Sequence, residues 1–222
     1  MIVTVGHRGA RGVEPENTLL SFRKGIELGM DYVECDVQMT KDGEAVVVHP
    51  KTLAKMFGGN GDTRSKPLAD WRELDMGKGE KMPTLQEVID TVKGKVGLIV
   101  ELKGEGTADK SVEIVKKNEL ENVLFLSYLR NEIKRVKELD ASLPTGLVAR
   151  EYSPEVIAAV KELGASVLFL PKGAASKERA DELHSNKIHL GIWSADDQKT
   201  YEKMVGIGAD YVVSDRPDLL RV

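Results

Sequence analysis

The stretch Asp31-Tyr32-Val33-Glu34-Cys35-Asp36-Val37 has the alternation of a buried β-strand. Side chains along a strand alternate between two faces, so Glu34 and Asp36 share one face while Cys35 lies on the other. Burying two ionised carboxylates without partners costs several kcal/mol, so the rest of the chain must bring a cation, basic side chains or protons to that face. A metal site, an acid/base pair and a structural cluster of ion pairs are the three candidates.

Around this strand the chain alternates short β-branched runs with helical patterns, which is typical of parallel α/β proteins. The predicted strands are Ile2 to Val5, Tyr32 to Val37, Gly97 to Leu102, Val123 to Leu126, Thr145 to Val148, Ser166 to Leu170, Ile188 to Trp193 and Asp210 to Ser214. The predicted helices are Thr18 to Leu28, Leu85 to Val92, Ala108 to Lys117, Asn131 to Leu139, Pro154 to Leu163, Lys177 to Asn186 and Asp196 to Val205.

Eight strand–helix units in 222 residues favour a closed (β/α)8 TIM barrel over an open doubly wound sheet. The open sheet is the alternative, but the glycines between Gly6 and Gly12 lack the spacing of its usual phosphate-binding turn. We therefore expect one barrel domain over residues 1–222.

One insertion interrupts the alternation after the second strand. Asp42-Gly43 predicts a tight turn, and Ala45 to Val48 then reads as a strand that folds back on the second strand and ends at His49. Pro50 to Met82 is rich in Gly and Lys with little periodicity, which predicts a long stretch without regular structure. Such stretches usually serve as lids or substrate loops, and a plain surface excursion is the alternative.

The amino-acid composition narrows the classes of molecule that this protein could bind. The formal net charge of −4 argues against nucleic-acid binding, which needs a basic face, and favours a small-molecule partner. The single cysteine, Cys35, cannot form an internal disulfide and is expected to be an inert core thiol. No apolar run approaches the roughly 18 residues of a membrane-spanning helix, and no signal-peptide pattern is present, so we expect a cytoplasmic protein without stable membrane association.

The barrel prediction gathers reactive side chains at the carboxyl ends of the strands, where barrel enzymes carry their sites. They are His7, Arg8, Glu34, Asp36, His49, Glu101, Lys103 and Trp193. Three carboxylates on adjacent strands suit a hard cation such as Mg²⁺ or Ca²⁺. Two histidines flanking a phosphoryl group could divide proton removal and proton donation between them, while Arg8 and Lys103 would offset its negative charge.

Other residues have simpler interpretations. Trp193 at a strand end is expected to form a wall against the substrate rather than to fill the core. His189 is expected deep in the floor of the barrel and His184 on a solvated helix face. Asp210 and Asp215 bracket the last strand and are expected to hydrogen-bond neighbouring loops rather than to bind a metal.

A set of short motifs, in order, resembles the glycerophosphodiester phosphodiesterase family over residues 6–218. The motifs are His7-Arg8-Gly9, Pro15-Glu16-Asn17-Thr18, Glu34-Cys35-Asp36-Val37, Thr40-Lys41-Asp42-Gly43, Val48-His49, Pro83-Thr84-Leu85, Glu101-Leu102-Lys103, Trp193-Ser194 and Ser214-Asp215-Arg216-Pro217. The resemblance implies a TIM barrel that hydrolyses glycerophosphodiesters to an alcohol and sn-glycerol 3-phosphate with a divalent cation.

The resemblance also implies a role for each residue. Glu34, Asp36 and Glu101 would hold the metal, His7 and His49 would form the acid/base pair, and Arg8 and Lys103 would bind phosphate. It favours His49 as the base and His7 as the acid, and it places residues 50–82 over the barrel mouth. One departure is Pro50, where the family usually has aspartate, and this change is expected to alter the pKa of His49.

Three other functions stay open. The first is a phospholipase-D-like lysophospholipid hydrolase, which would need an apolar rim such as Met56, Phe57, Leu68 and Trp71. The second is a non-catalytic module that binds glycerol phosphate. The third is Schiff-base chemistry at Lys103, which the neighbouring carboxylates argue against because they favour the charged amine.

Overall fold

The computed structural model describes residues 2–220 and contains a closed barrel of parallel strands. The barrel strands are β1 (Val3–Gly6), β2 (Tyr32–Met39), β4 (Gly97–Leu102), β5 (Val123–Ser127), β6 (Thr145–Val148), β7 (Val167–Pro171), β8 (His189–Trp193) and β9 (Tyr211–Ser214). Closure follows from β1, which pairs in parallel with both β2 and β9. The predicted TIM barrel is therefore confirmed, and the open sheet is excluded.

Helices cover the outside of the barrel. Those between barrel strands are α1 (Leu19–Glu27), α4 (Leu85–Val92), α5 (Thr107–Lys117), α6 (Arg130–Leu139), α7 (Pro154–Glu162), α8 (Lys177–Ser185) and α9 (Gln198–Gly206). Side chains cap the starts of several of these helices: Ser153 caps α7 ahead of Pro154, and Thr84 and Glu87 form a reciprocal capping box on α4. All seven predicted helices are present, with ends shifted by at most two residues.

The apolar residues form two layers. One fills the barrel interior with side chains such as Val5, Ile99 and Phe169. The other packs the outward faces of the strands against the helices and contains Cys35. Cys35 is fully buried, and burial raises the pKa of its thiol, which agrees with an inert core cysteine. The predicted alternation along β2 is confirmed, because Cys35 faces the helices while its acidic neighbours lie on the other face.

The predicted hairpin after β2 is present. Strand β3 (Ala45–Val47) pairs antiparallel with β2, and Gly43 adopts a positive φ of 82° in the connecting turn. The backbone N–H of Val48 still donates to Asp36 O at 2.9 Å, so the chain stays attached to β2 up to His49. This strand runs back from the hairpin turn and brings His49 near Asp36.

The expectation that residues 50–82 lack regular structure was wrong. They contain α2 (Pro50–Phe57), a 3₁₀ turn (Thr63–Ser65) and α3 (Leu68–Arg72). These elements are too short to show a periodic pattern, and a small core of their own stabilises them. The buried members of that core are Val46, Val48, Leu53, Trp71, Met76 and Met82.

Only part of the apolar rim expected for a lipid hydrolase is present. Trp71 is 5% exposed and donates its indole N–H to Thr63 O at 2.8 Å, so it belongs to the small core. Met56 and Phe57, at 41% and 38%, remain exposed on α2. Within residues 2–220, no helix is long and apolar enough to cross a membrane.

Candidate active site

Three buried carboxylates meet at the mouth of the barrel. Glu34 and Asp36 project from β2, and Glu101 projects from β4 beside them, because the parallel register places Asp36 opposite Glu101. One oxygen from each of the three lies within 4.8 Å of the others. Two neighbouring strands thus deliver all three predicted ligands to one point.

Two basic side chains compensate Asp36. Lys103 Nζ lies 3.1 Å from Asp36 Oδ1 and 2.6 Å from Glu101 Oε1, while Arg8 Nε lies 3.0 Å from Asp36 Oδ2. Burial alone would raise the pKa of Asp36, but Lys103 and Arg8 hold it well below its usual range. Burial opposes the charge of Lys103 too, yet Asp36 and Glu101 raise its pKa overall, so Lys103 stays protonated and unsuited to Schiff-base chemistry.

The other two carboxyl groups are not fully compensated. Burial, followed by repulsion from Asp36, raises the pKa of Glu34 well above its ordinary value. Burial also raises the pKa of Glu101. Glu34 Oε2 accepts the backbone N–H of Arg8 at 2.9 Å, but the buried Glu34 Oε1 has no hydrogen-bond partner within the described residues. A buried unpaired oxygen beside two further carboxylates fits a hard divalent cation.

His7 follows β1 directly and is held on two sides. Its backbone N–H donates to Ser214 O at 2.9 Å, and its Nδ1 lies 2.5 Å from Asp215 Oδ1. Its Nε2 lies 3.8 Å from Glu34 Oε2, on the side of the carboxylate cluster. The loop can turn here because Gly9 adopts a φ of 85°, and a Cβ on Gly9 would meet the backbone of Ser21 at 2.4 Å.

His49 lies at the junction of β3 and α2. Its Nδ1 accepts the backbone N–H of Lys51 at 3.1 Å, which caps α2, and Pro50 occupies the first turn of the helix. Burial lowers the pKa of His49 to about 4. The residue is therefore neutral near pH 7. Pro50, the departure from the family pattern, starts the helix that His49 caps.

Three further residues organise the site, and reasoning from residue types did not assign them these roles. Asn17 Nδ2 donates to Asp36 Oδ2 at 2.8 Å, Glu16 Oε1 accepts from Arg8 Nη1 at 2.6 Å, and Asp215 orients His7. Asp215 does hydrogen-bond a neighbouring loop as predicted, but its partner is a site histidine. All three lie in the short motifs that carried the family resemblance, so that resemblance was the available signal.

These side chains border a cavity of about 1090 Å³ at the barrel mouth. His7, Arg8, Glu34, His49, Glu101, Lys103 and Trp193, all named from the sequence, line it. Trp193 forms part of its wall with Phe169, as expected for a side chain at the end of β8. Asp36 lies behind this surface and is fully buried.

The other two histidines lie far from this cavity. His184 Nε2 is 2.8 Å from Asp210 Oδ2, and His189 Nδ1 is 3.2 Å from Asp210 Oδ1, at the amino-terminal ends of β8 and β9. His189 was expected deep in the barrel floor, but its side chain is 56% exposed, because β8 begins at this residue and its ring lies at the rim. Asp210 hydrogen-bonds its neighbours as predicted.

The fold and the side chains at the barrel mouth together define a class of protein, the barrel hydrolases of phosphate esters. A TIM barrel alone hosts many chemistries, so the class rests on the carboxylates, histidines and basic residues that converge at the strand ends. Comparison with known proteins narrows that class to one family.

The family model of the glycerophosphoryl diester phosphodiesterases matches residues 7–219. A glycerophosphodiester phosphodiesterase of Caldanaerobacter subterraneus is 29% identical over 232 residues, covering 98% of this chain and 96% of that protein. The chain belongs to the glycerophosphoryl diester phosphodiesterase family. The predicted enzyme class, a phosphoric diester hydrolase, is thereby confirmed.

Solved structures of phosphodiesterases have a fold similar to that of this chain. An Oleispira antarctica phosphodiesterase in complex with the product sn-glycerol-3-phosphate has a TM-score of 0.91 and 27% identity, covering 97% of this chain and 93% of that one. A glycerophosphodiester phosphodiesterase of Thermotoga maritima has a TM-score of 0.84 and 28% identity, covering 99% and 96%. Both resemble this chain over nearly its whole length.

Proposed function

We propose that this enzyme hydrolyses glycerophosphodiesters to an alcohol and sn-glycerol 3-phosphate, with a divalent cation and a histidine acid/base pair. The observation that carries the proposal is the unpaired Glu34 Oε1 within a cluster of three buried carboxylates, beside His7. Such a cluster needs further positive charge, and a phosphodiester needs positive charge to be attacked. The product-bound Oleispira protein supports the choice of substrate.

Glu34, Asp36 and Glu101 would hold the cation, either Mg²⁺ or Ca²⁺. When bound, the cation would supply Lewis-acid stabilisation of charge on the phosphoryl oxygens. Arg8 and Lys103 are already held beside Asp36 by ion pairs. They would therefore contribute fixed positive charge to the same phosphoryl group without having to reorganise.

The surroundings of the two histidines differ in a way that suits the acid/base pair. His49 is neutral near pH 7 and can accept a proton, although to do so at Nε2 it must give up the hydrogen bond from Lys51 N–H. That bond contributes only about 0.5 to 1.5 kcal/mol. His7 faces carboxylate oxygens at both ring nitrogens, which suits a proton donor. We therefore assign His49 as the base and His7 as the acid.

The chemistry divides between them as follows. His49 would remove the proton of the nucleophile, which is either the glycerol 2-hydroxyl, giving a cyclic phosphate first, or a water molecule. His7 would give its proton to the oxygen of the leaving alcohol. Replacing either histidine by alanine should lower turnover about 10²- to 10⁴-fold with the fold intact.

The direct test is turnover of glycerophosphocholine, glycerophosphoethanolamine and glycerophosphoglycerol, followed by detection of sn-glycerol 3-phosphate with and without a chelator. Chelator-sensitive release that returns on addition of Mg²⁺ or Ca²⁺ supports the proposal. Hydrolysis that ignores the chelator removes the metal assignment. Binding of glycerol phosphate without turnover under any divalent cation would instead support a non-catalytic module.

One observation favours a second function. Met56 and Phe57 are exposed on α2, Met56 also lines the cavity, and the two could contact the acyl chain of a lysophospholipid. Release of choline from lysophosphatidylcholine, with none from glycerophosphocholine, would establish that function instead. Replacing both residues by serine would then abolish the lipid activity.

A further inference from the structure

The outer rim of the cavity carries basic side chains that have no partner among residues 2–220. Lys51 and Lys55 lie on α2, Arg150 lies just beyond β6, and all three are exposed and border the cavity. None of their side chains makes an ion pair or hydrogen bond within residues 2–220. These three residues are termed the basic rim.

Two acidic side chains that line the same cavity, Glu14 and Glu16, are already paired. Glu14 contacts Lys78, and Glu16 contacts both Arg8 and Arg11. Glu34 and Glu101, the other acidic residues that line the cavity, belong to the cluster that would hold the cation, so none of these carboxylates pairs with the basic rim. A ligand that reaches the rim meets uncompensated positive charge.

Part of the cavity wall is apolar. Phe169 and Trp193, at the ends of β7 and β8, line it beside the barrel interior. A glycerophosphodiester extends from phosphorus in two directions. The glycerol half is small and common to every such substrate, so its carbon chain can pack on these aromatic rings, whereas the variable head group extends toward the rim.

Tyr128 connects the phosphate position with the basic rim. Lys103 Nζ lies 5.7 Å from the centre of the Tyr128 ring, and Tyr128 and Arg150 line the same cavity. A head group that leaves the phosphoryl position along Tyr128 therefore arrives at Arg150. The two lysines of α2 complete the rim.

We propose that the basic rim binds a negatively charged leaving group, so that the preferred substrates are glycerophosphodiesters whose head group carries a further negative charge, such as a second phosphodiester. This inference rests on the proposed function. Cationic head groups such as choline would be disfavoured, because they would meet like charge at the rim.

The test compares bis(glycerophospho)glycerol, which has a second phosphodiester, with glycerophosphocholine. Wild-type enzyme should show the higher kcat/KM on the anionic compound. The double variant Lys55→Gln, Arg150→Gln should lower the ratio of the two kcat/KM values about 2- to 5-fold for each charge removed. The matched control is Lys117→Gln, an exposed lysine at the end of α5 without an ion pair among the described residues, which should leave the ratio unchanged.

Three outcomes would overturn the inference. One is a wild-type preference for glycerophosphocholine, and another is an equal loss on both substrates, which indicates only long-range attraction of the shared phosphate. The third is binding of wild-type enzyme to phosphatidylglycerol vesicles that the double variant loses while keeping its substrate ratio, which assigns the rim to a lipid surface.

If wild-type enzyme hydrolyses neither compound with any divalent cation, the proposed function fails separately. Titration calorimetry with the same two compounds then still decides the role of the rim. Tighter binding of the anionic compound, weakened selectively in the double variant, supports the inference, and equal affinities overturn it.

Discussion

Asp215→Asn should slow catalysis selectively on substrates whose leaving group needs a proton. In the native enzyme Asp215 Oδ1 lies 2.5 Å from His7 Nδ1. Burial would raise the pKa of Asp215, but its hydrogen bond and charge interaction with His7 lower it, so the carboxylate is ionised near neutral pH. Asparagine keeps the size and one acceptor oxygen but removes the charge.

The size of the effect follows from that loss of charge. A hydrogen bond to a charged group contributes about 1.5 to 3 kcal/mol, and a neutral one about 0.5 to 1.5 kcal/mol. The difference, about 1 to 1.5 kcal/mol, corresponds to about a 5- to 15-fold decrease in kcat/KM.

The assay uses two substrates. Glycerophosphocholine releases an alcohol that must be protonated, whereas a glycerophosphodiester of p-nitrophenol releases a stable anion. If His7 is the acid, Asp215→Asn should slow the first reaction and leave the second nearly unchanged. Equal slowing of both reactions would refute the assignment of His7 as the acid, and no slowing of either would refute the role of Asp215.

Asp210→Asn is the matched control. Asp210 also pairs with a histidine, with Oδ2 2.8 Å from His184 Nε2, but at the opposite end of the barrel. The substitution again replaces a carboxylate by an amide and removes the negative charge beside a histidine. This variant should lower the free energy of unfolding while leaving kcat/KM on both substrates unchanged.

The remaining predictions concern the metal, pH and the insertion. Glu34→Gln should raise the Mg²⁺ or Ca²⁺ concentration needed for half-maximal turnover by about 10-fold or more, because even changes behind a metal ligand cost that much; an unchanged requirement would contradict its role. The pKa of His49 falls from 6.5 to about 4 on folding, so between these values the unfolded chain binds the extra proton. The free energy of unfolding of metal-free enzyme should therefore decrease as pH is lowered through this window, and denaturant titrations of His49→Gln should show a flatter dependence. Trp71→Ala should expose residues 50–82 to limited proteolysis while far-UV circular dichroism stays near wild type; cleavage no faster than in wild type would show that the small core does not depend on Trp71.

The sequence predicted the barrel well because its signals are local. Each buried strand is a short β-branched run, and the period of two along β2 placed Glu34 and Asp36 on one face before any contact was known. The position of Glu101 followed because consecutive barrel strands are neighbours. That residues 1–222 form one domain and that the protein is cytoplasmic stay predictions.

The features that the sequence did not predict depend on length and distance. Helices α2 and α3 have eight and five residues, too few for a helical pattern to stand out among glycines and lysines. The pairing of His7 with Asp215 joins residues 208 positions apart. Barrel closure brings these two residues together. Strands β1 and β9 pair with Gly6 opposite Ser214, so His7 and Asp215, which follow the two strands, are neighbours.

The attachment of His49 to the insertion separates thermal inactivation from unfolding. The three carboxylates lie on barrel strands and His7 follows β1 directly, whereas His49 follows the edge strand β3 and caps the first helix of the insertion. The connection at this point consists of scattered hydrogen bonds, such as Val47 N–H to Pro83 O at 2.8 Å and the side chain of Gln38 to Val48 O at 2.9 Å. Local opening of the insertion would therefore displace one half of the proposed acid/base pair while the barrel persists. On heating, turnover would disappear reversibly at a lower temperature than barrel structure, and cooling would restore it without refolding of the whole chain.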